Sequence, residues 1–316
     1  MRQMPRNSVV AVDLGGTKLA VALVGPKGQL CERNSVSVDT SSSVAPVKQI
    51  VELTHALLNG TSRKGNAAAV GVAVPGLARR DGTVWAPNLR GWQRMPLEKR
   101  LTRALGVPIV VESDRNASVL GETWRGAARG KNDAIVFMLG TGIAAGIWSG
   151  GRLVRGAHEL SGCAGWMVVA DQYGTRARQV GQLESLAAGP AIARAATQER
   201  SRKAINAYDV AGAARRGDSI SIQVYREAGR LLGYGAANLV SLFDPEIIVL
   251  TGGLAQASDL FLDTLREAMK ERAQPISGEQ VRVVKSKLGA DANLLGVARL
   301  AGIAYAHWSA PSKSNT

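Results

Sequence analysis

The chain has 316 residues, 46% of them hydrophobic, a length and composition that suit two globular domains with separate cores. No apolar run approaches the roughly 20 residues needed to cross a bilayer, and the opening MRQMPRNS lacks the apolar core of a signal peptide, so we expect a cytoplasmic protein without a membrane partner. The net charge of +14 is spread over many segments without an aromatic-interleaved basic stripe, so we expect no nucleic-acid partner, and two cysteines are too few for a disulfide scaffold.

Residues 9–24, VVAVDLGGTKLAVALV, predict a hairpin that can hold phosphate. Two β-branched, apolar strands flank the Gly-Gly turn at 15–16, which places no Cβ atoms over its backbone N–H groups and so lets them face an anion. Thr17 adds a hydroxyl donor and Lys18 a positive charge, while Asp13 at the end of the first strand is placed to bind a divalent cation, directly or through water. Because any tight hairpin can use Gly-Gly, this segment alone leaves a purely structural turn open.

Strands and helices alternate along the rest of the chain, which is typical of an α/β protein. Between the glycine turns the pattern predicts a strand at 30–38, an amphipathic helix at 46–58, a buried strand at 68–74, a short helix at 96–105, a strand at 109–112, a long helix at 219–242, a buried strand at 247–250, a helix at 258–271, a strand at 281–284 and an apolar helix at 292–306.

Residues 134–149, AIVFMLGTGIAAGIWS, repeat the first hairpin about one domain length later. An apolar strand again leads into a glycine turn, here Gly-Thr-Gly at 140–142, and a second apolar strand follows. A third glycine turn, Thr-Gly-Gly at 251–253, comes after a buried strand, where a doubly wound sheet presents a nucleotide. The repetition predicts a duplicated architecture and favours phosphate binding at all three turns.

Several short motifs follow one another at characteristic spacing: VDLGGTK at 12–18, VPG at 74–76, PN at 87–88, SDRNA at 113–117, GTGIAAG at 140–146, LES at 183–185 and LTGG at 250–253. Over nearly the whole chain they resemble the ROK family of sugar kinases and repressors, within the actin-like ATPase superfamily. The resemblance implies an α/β fold of two actin-like (ribonuclease H-like) domains with an interdomain cleft. We expect a smaller domain at 1–117 completed by 292–316, and a larger one at 118–291.

The resemblance also implies ATP and magnesium as cofactors. Asp13 resembles the family's metal-linked aspartate, which would hold Mg²⁺ directly or through water. The glycine turns resemble the loops that hold the phosphates and adenosine of ATP, through Gly15, Gly16, Thr17, Lys18, Gly140, Thr141, Gly142, Gly252 and Gly253.

Asp114 resembles the family's general base. Transfer of a γ-phosphoryl group to a sugar hydroxyl needs a carboxylate near the acceptor oxygen, and Asp114 follows a buried strand. The alternative is that Asp114 caps the helix after it. The resemblance further places Gly76, Asn88 and Glu184 at the acceptor; the two oxygens of Glu184 can bind vicinal hydroxyls, unless this side chain is only a first-turn helix charge.

The chain departs from the family on the acceptor side. Where the family has A-G-E-I-G-H, this chain has SGCAGW, so Cys163 replaces a sugar-binding glutamate and Trp166 a histidine that contacts sugar and ligates zinc. Ser113 stands where an asparagine usually precedes the catalytic aspartate, and we count these three residues as acceptor contacts. Segment 171–182 lacks Cys and His, so we predict no zinc. Trp166 either stacks on a sugar or fills the volume of the absent zinc loop, and Cys163 is more suited to packing than to reaction.

Together these features predict an ATP-dependent carbohydrate kinase that phosphorylates a sugar hydroxyl, the 6-hydroxyl of a hexose or hexose derivative, with Asp114 as general base. The alternative is a non-catalytic sugar- and nucleotide-binding sensor or regulator of the same fold. Only the leader MRQMPRNS precedes the first strand, so we do not expect the DNA-binding domain of the repressor branch. Family precedent implies a homodimer.

Overall fold

The structure, a computed structural model, describes residues 8–59, 67–200 and 206–309. Residues 1–7 of the leader MRQMPRNS, on which the expectation of no DNA-binding domain rests, lie outside the described residues. The chain divides into two compact units, of which the first is Met1–Gly126, Gly156–Leu160 and Ala290–Thr316, and the second Ala127–Arg155 and Ser161–Gly289.

Strands and helices alternate in both units. Up to Gly126 the elements are β1 (Val9–Leu14), β2 (Lys18–Val24), β3 (Leu30–Ser37), α1 (Ala45–Asn59), β4 (Val70–Val74), β5 (Leu77–Ala78), β6 (Val84–Trp85), α2 (Leu97–Leu105), β7 (Ile109–Ser113) and α3 (Asp114–Arg125). After it they are β8 (Ala134–Leu139), β9 (Ile143–Ser149), β10 (Arg152–Leu153), a 3₁₀ turn (Ala164–Trp166), α4 (Ala177–Val180), α5 (Gln182–Ala187), α6 (Gly189–Arg200), α7 (Ala207–Arg215), α8 (Ser219–Phe243), β11 (Ile247–Thr251), a 3₁₀ segment (Gly253–Leu260), α9 (Leu262–Arg272), α10 (Pro275–Gln280), β12 (Arg282–Lys285), a 3₁₀ turn (Gly289–Asp291) and α11 (Ala292–Trp308).

Each unit is built on a five-stranded sheet of the same topology. The strand order is β3-β2-β1-β4-β7 in the first unit and β10-β9-β8-β11-β12 in the second. In both sheets three antiparallel strands come first in this order, and two further strands continue the sheet parallel to the third, which is β1 in the first unit and β8 in the second. The predicted α/β class and the duplication suggested by the two glycine hairpins are therefore confirmed.

Helices α3 and α11 pack closely in the first unit. A Cβ atom at Gly121 would overlap the carbonyl of Ala292, and one at Gly296 would overlap the carbonyl of Ala117. Because α3 is fixed along its length to the C-terminal helix, the first unit runs to Gly126 and not to the predicted boundary at 117.

The predicted helix at 258–271 is wrong in its first part. A 3₁₀ segment ends at Leu260, and α9 begins only after Phe261, whose φ of −141° is not helical. The Phe261 side chain is buried and its ring stacks on that of Tyr225 at a centroid distance of 6.4 Å. Core packing of one aromatic residue thus overrides the helical pattern of the sequence. No helix within the described ranges has the length and apolar character needed to span a membrane.

Candidate functional site

Two carboxylates lie at the carboxyl edge of the first sheet. Strands β1, β4 and β7 run parallel, with Asp13 beside Ala73 and Val74 beside Ser113, so β1 ends at the same edge from which α3 starts at Asp114. Since neighbouring strands are about 4.8 Å apart, β1 and β7 are separated by about 10 Å. The structure therefore brings together the two aspartates that the sequence singled out.

Asp13 carries an unfavourable charge in the metal-free protein. Burial is the main cause that raises its pKa from the ordinary 3.8 to about 6, and the charge of Asp114 adds to the effect. Asn293 of α11 donates a hydrogen bond to its Oδ1 at 3.1 Å, and Arg33 and Lys18 also favour the ionised form without balancing the burial. Two nearby carboxylates form the oxygen-rich donor set that a hard divalent cation prefers, so the residues fit Mg²⁺.

The first glycine turn is closed by its own backbone and open to solvent. The N–H of Gly15 donates to the carbonyl of Lys18 at 2.8 Å, while Gly16, Thr17 and Lys18 are exposed. A Cβ atom at Gly16 would meet no atom within 4 Å, so there is space beside the turn for a ligand. Phosphate binding by these residues stays a prediction.

Asp114 is the first residue of α3, and Ser113 occupies the N-cap position. The capping alternative therefore does not describe Asp114. Its Oδ1 accepts a hydrogen bond from the N–H of Arg115 at 2.8 Å. Burial raises the pKa of the Asp114 carboxyl, although this hydrogen bond and the positive charge of Arg115 act in the opposite direction. A raised pKa strengthens a carboxylate as a proton acceptor, as a general base requires.

A buried network fixes the first turn of α3. Oε1 of Glu112 accepts hydrogen bonds from the backbone N–H of Ser113 and from Nδ2 of Asn116, both at 2.9 Å. Ser113 is only 1% exposed, and its hydroxyl lies 3.5 Å from the same Glu112 oxygen. This network holds the backbone that carries Asp114, while the predicted substrate contact of Ser113 stays a prediction.

Arg115 was missed by the sequence reasoning. It is buried, and its Nη1 and Nη2 donate to the carbonyls of Gly76 at 2.8 Å and Glu159 at 2.6 Å. Both partners have positive φ, +89° at Gly76 and +55° at Glu159, and a Cβ atom at Gly76 would overlap the carbonyl of Trp85. Its signal in the sequence was its place in the SDRNA motif, directly after the proposed base. Arg115 thus stabilises two uncommon backbone conformations. Asn88, which was also predicted at the acceptor, has an exposed side chain, and its contact with a sugar stays a prediction.

In the second unit two glycine turns meet at one pocket. Met138 of β8 lies beside Thr251 of β11, so the turns that follow these strands are neighbours. A cavity of about 480 Å³ opens beside them, a size suited to a small molecule. Its lining includes Gly140, Thr141, Gly253, Asn206, Tyr208 and Arg215.

Close packing, an ion pair and a hydrogen bond fix the elements around this pocket. Gly252 has a φ of +91°, and a Cβ atom there would overlap the carbonyl of Leu139, so only glycine lets the two turns approach this closely. Arg215 pairs with Asp259 at 2.7 Å. The Tyr225 hydroxyl donates to a backbone carbonyl of α7 at 2.8 Å, and burial raises its pKa to about 12. Sequence reasoning found the glycine turns but missed the α6 and α7 walls, which carry no motif.

Glu184 joins the second glycine turn to the predicted acceptor segment. It lies in the first turn of α5, and its Oε2 accepts a hydrogen bond from the N–H of Ile143 at 2.8 Å. Gly165 packs against the same side chain, since a Cβ atom there would lie 2.9 Å from Cβ of Glu184. Burial raises the pKa of Glu184, opposed by the Ile143 hydrogen bond and the charge of Arg176. A tertiary hydrogen bond and this packing make Glu184 more than a first-turn helix charge.

Cys163 directly precedes the 3₁₀ turn next to Glu184, and Trp166 is the last residue of that turn. Cys163 is a partly buried free thiol, whereas Trp166 is 52% exposed. An indole so exposed does not fill a core, which argues against the volume-filling alternative and leaves stacking on a sugar as a prediction.

The side-chain amide of Gln182 organises the segment in which the family resemblance places a zinc loop. Gln182 is buried; its Oε1 accepts from the N–H groups of Val169 at 2.6 Å and Ala170 at 2.9 Å, and its Nε2 donates to the carbonyls of Ala170 at 2.8 Å and Gln172 at 2.7 Å. Over the described part of the chain, no three His, Cys, Asp or Glu side chains cluster as a metal site would require. The absence of zinc stays a prediction, now with a specific set of hydrogen bonds in its support.

Comparison with known proteins gives consistent results. The profile of the ROK family matches residues 9–303. A glucokinase of Streptomyces coelicolor is 32% identical over 92% of this chain and 96% of its own length. The bifunctional enzyme NanE/NanK of Brucella suis is 36% identical over 94% of this chain and 54% of its own length. The crystal structure of a ROK family glucokinase from Streptomyces griseus in complex with glucose and AMPPNP is 30% identical, with a TM-score of 0.76, over 93% of this chain and 99% of that one.

Proposed function

We propose that this chain, which belongs to the ROK family, transfers the γ-phosphoryl group of ATP to the 6-hydroxyl of a hexose or hexose derivative, with Asp114 as general base. That it is an ATP-dependent sugar kinase follows from its glucokinase relatives and the glucose and AMPPNP complex of a similar enzyme. The observation that carries the proposal is the environment of Asp114, a half-buried carboxylate with a raised pKa on a turn fixed by Glu112 and Arg115.

The donor binds, in this proposal, at the pocket of the second unit. The adenosine of ATP occupies the cavity beside Tyr208 and Arg215, and the backbone N–H groups of the turns at 140–142 and 252–253 bind its phosphates. Thr17 and Lys18 add a hydroxyl donor and a positive charge. Asp13 would hold Mg²⁺ directly or through water; when bound, that ion neutralises phosphate charge.

The acceptor is activated by Asp114. Its carboxylate takes the proton from the sugar hydroxyl as the hydroxyl oxygen forms a bond to the γ-phosphorus. The bond from that phosphorus to the β–γ bridging oxygen breaks, and the electron pair leaves with ADP. Arg115 contributes indirectly. Its guanidinium holds the backbone at Gly76, and Gly76 contacts the acceptor in this proposal. Glu184 uses Oε2 for the Ile143 N–H and keeps Oε1 for a sugar hydroxyl.

The cellular location, the oligomeric state and the partners of the protein are also proposals. We propose a cytoplasmic homodimer with a sugar as its small-molecule partner and neither a nucleic-acid nor a membrane partner. Light scattering of the purified protein at several concentrations tests the dimer, and binding to duplex DNA across a range of salt concentrations tests the nucleic-acid expectation.

The test of the activity is ADP release from ATP over a panel of hexoses, amino sugars, ketoses and oligosaccharides, with Asp114→Asn measured in parallel. The proposal expects at least one sugar to raise ADP release in the wild-type protein far above that of the variant. If sugar and ATP both bind and no sugar raises ADP release, the chain is a sensor of the same fold, the alternative to which the replacements at Cys163 and Trp166 point.

A further inference from the structure

A cluster of exposed apolar side chains lies shortly before Glu184 in the sequence of the second unit. Trp166 is 52% exposed, Val168 66% and Tyr173 41%. Three large exposed apolar side chains in one short segment, which packs through Gly165 against the partly buried side chain of Glu184, are unusual for a surface that has no ligand.

Hydrogen bonds and close backbone packing hold the segment around Trp166 in place, so the exposure of its indole follows from the fold. The four hydrogen bonds of Gln182 fix the backbone at Val169, Ala170 and Gln172. On the other side, a Cβ atom at Gly181 would overlap the carbonyl of Gly165, so the two backbones are in direct contact. The base of the indole is thus anchored from both sides while half of its surface faces solvent.

The chemistry of this pair suits a pyranose ring. The C–H faces of a sugar ring pack on an indole, and a carboxylate accepts hydrogen bonds from sugar hydroxyls. Gly165 packs against Glu184 and directly precedes Trp166 in the chain, so the backbone of Trp166 begins next to the Glu184 side chain. The partly buried thiol of Cys163 is a weak hydrogen-bond donor and adds little polar recognition. This surface therefore suits ring stacking more than hydroxyl contacts.

We propose that Trp166 forms a subsite for a second pyranose ring, so that the preferred acceptor is a disaccharide or a longer saccharide and not a free hexose. One ring uses Glu184, and the neighbouring ring stacks on the exposed face of Trp166. The proposal rests on the proposed function for the phosphorylation step, while the binding step stands on the second unit alone.

The kinetic test compares glucose, mannose and galactose with maltose, cellobiose and lactose, each of which keeps a free primary hydroxyl. We expect kcat/KM to be higher for a disaccharide than for the hexoses. Trp166→Ala should lose about tenfold more kcat/KM on that disaccharide than on the hexose, through KM, and Trp166→Phe should recover part of the loss. Trp308→Ala, which removes another exposed tryptophan at the end of α11, is the matched control and should change neither.

A binding test separates this inference from the proposed function. Calorimetry of the saccharides on Asp114→Asn protein measures affinity without turnover, and adding Trp166→Ala should weaken disaccharide binding about tenfold. If no sugar is phosphorylated but this weakening occurs, the kinase proposal fails and the subsite stands. If hexoses are phosphorylated at least as well as every disaccharide, or if Trp166→Ala affects both classes equally, the subsite is overturned.

Discussion

Replacing Asp13 by asparagine should stabilise the metal-free protein above pH 6. The folded protein binds a proton at Asp13 with a pKa of about 6, whereas the unfolded chain does so near 3.8. Between these pH values the folded state holds more protons, so stability falls as pH rises, and the full loss is present above pH 6. The pKa difference corresponds to at most about 3 kcal/mol. The asparagine side chain carries no charge, and its amide oxygen can still accept the hydrogen bond from Asn293.

The assay is urea unfolding followed by tryptophan fluorescence, in chelator, at pH 3.5, 5 and 7.5. We expect the variant to match the wild-type protein at pH 3.5 and to exceed it by about 1–3 kcal/mol in unfolding free energy at pH 7.5. Asp39→Asn is the matched control, because Asp39 is exposed and hydrogen bonds from Ser41 lower its pKa, so this change should not stabilise. An Asp13→Asn protein that is less stable at pH 7.5, or equally shifted at all pH values, would refute the reasoning.

Three further substitutions test the parts that support the site. Gly76→Ala should lower kcat/KM for sugar more than tenfold, since the φ of Gly76 is +89° and a Cβ atom there would overlap the carbonyl of Trp85. The control is Gly106→Ala, because Gly106 also has a positive φ but has open space around it. This change should cost about 1 kcal/mol of stability and no activity. Arg115→Met should raise the KM for sugar about tenfold or more and leave the KM for ATP unchanged. Its effect should exceed that of Arg80→Met, because the Arg80 side chain, which pairs with Glu159, is 75% exposed. Equal effects on both substrates would argue against this role of Arg115. Gln182→Leu should lower the unfolding free energy by about 2–4 kcal/mol and speed proteolysis at 171–179, since it removes the hydrogen bonds that hold this segment. EDTA should leave the stability of the wild-type protein unchanged. Stabilisation of the wild-type protein by zinc would contradict the prediction that it binds none.

Local signals explain why much of the site could be predicted from sequence. Strand periodicity followed by glycines located all three turns, and the position of Asp13 and Asp114 after buried strands placed both at one sheet edge. Parallel strands end at the same edge, so the topology turned distant motifs into neighbours.

Long-range side-chain contacts explain what the sequence left out. Asn293 meets Asp13 across 280 positions of the chain, and no local pattern records such a pairing. Gln182 looked like an ordinary helical residue, yet its amide makes four hydrogen bonds that organise a loop. Phe261 broke a helix because its ring packs in the core, which a helical pattern cannot foresee.

The most direct measurement is the fate of a labelled γ-phosphoryl group. Wild-type and Asp114→Asn proteins are incubated with γ-³²P-labelled ATP, Mg²⁺ and the best acceptor sugar, and the products are separated and their phosphorylated carbon identified by NMR. The account predicts label on the 6-hydroxyl oxygen of the sugar with the wild-type protein, and a loss of at least about a thousandfold in rate with a normally folded variant. Transfer at an undiminished rate by Asp114→Asn, or label only in free phosphate with the wild-type protein, would contradict it.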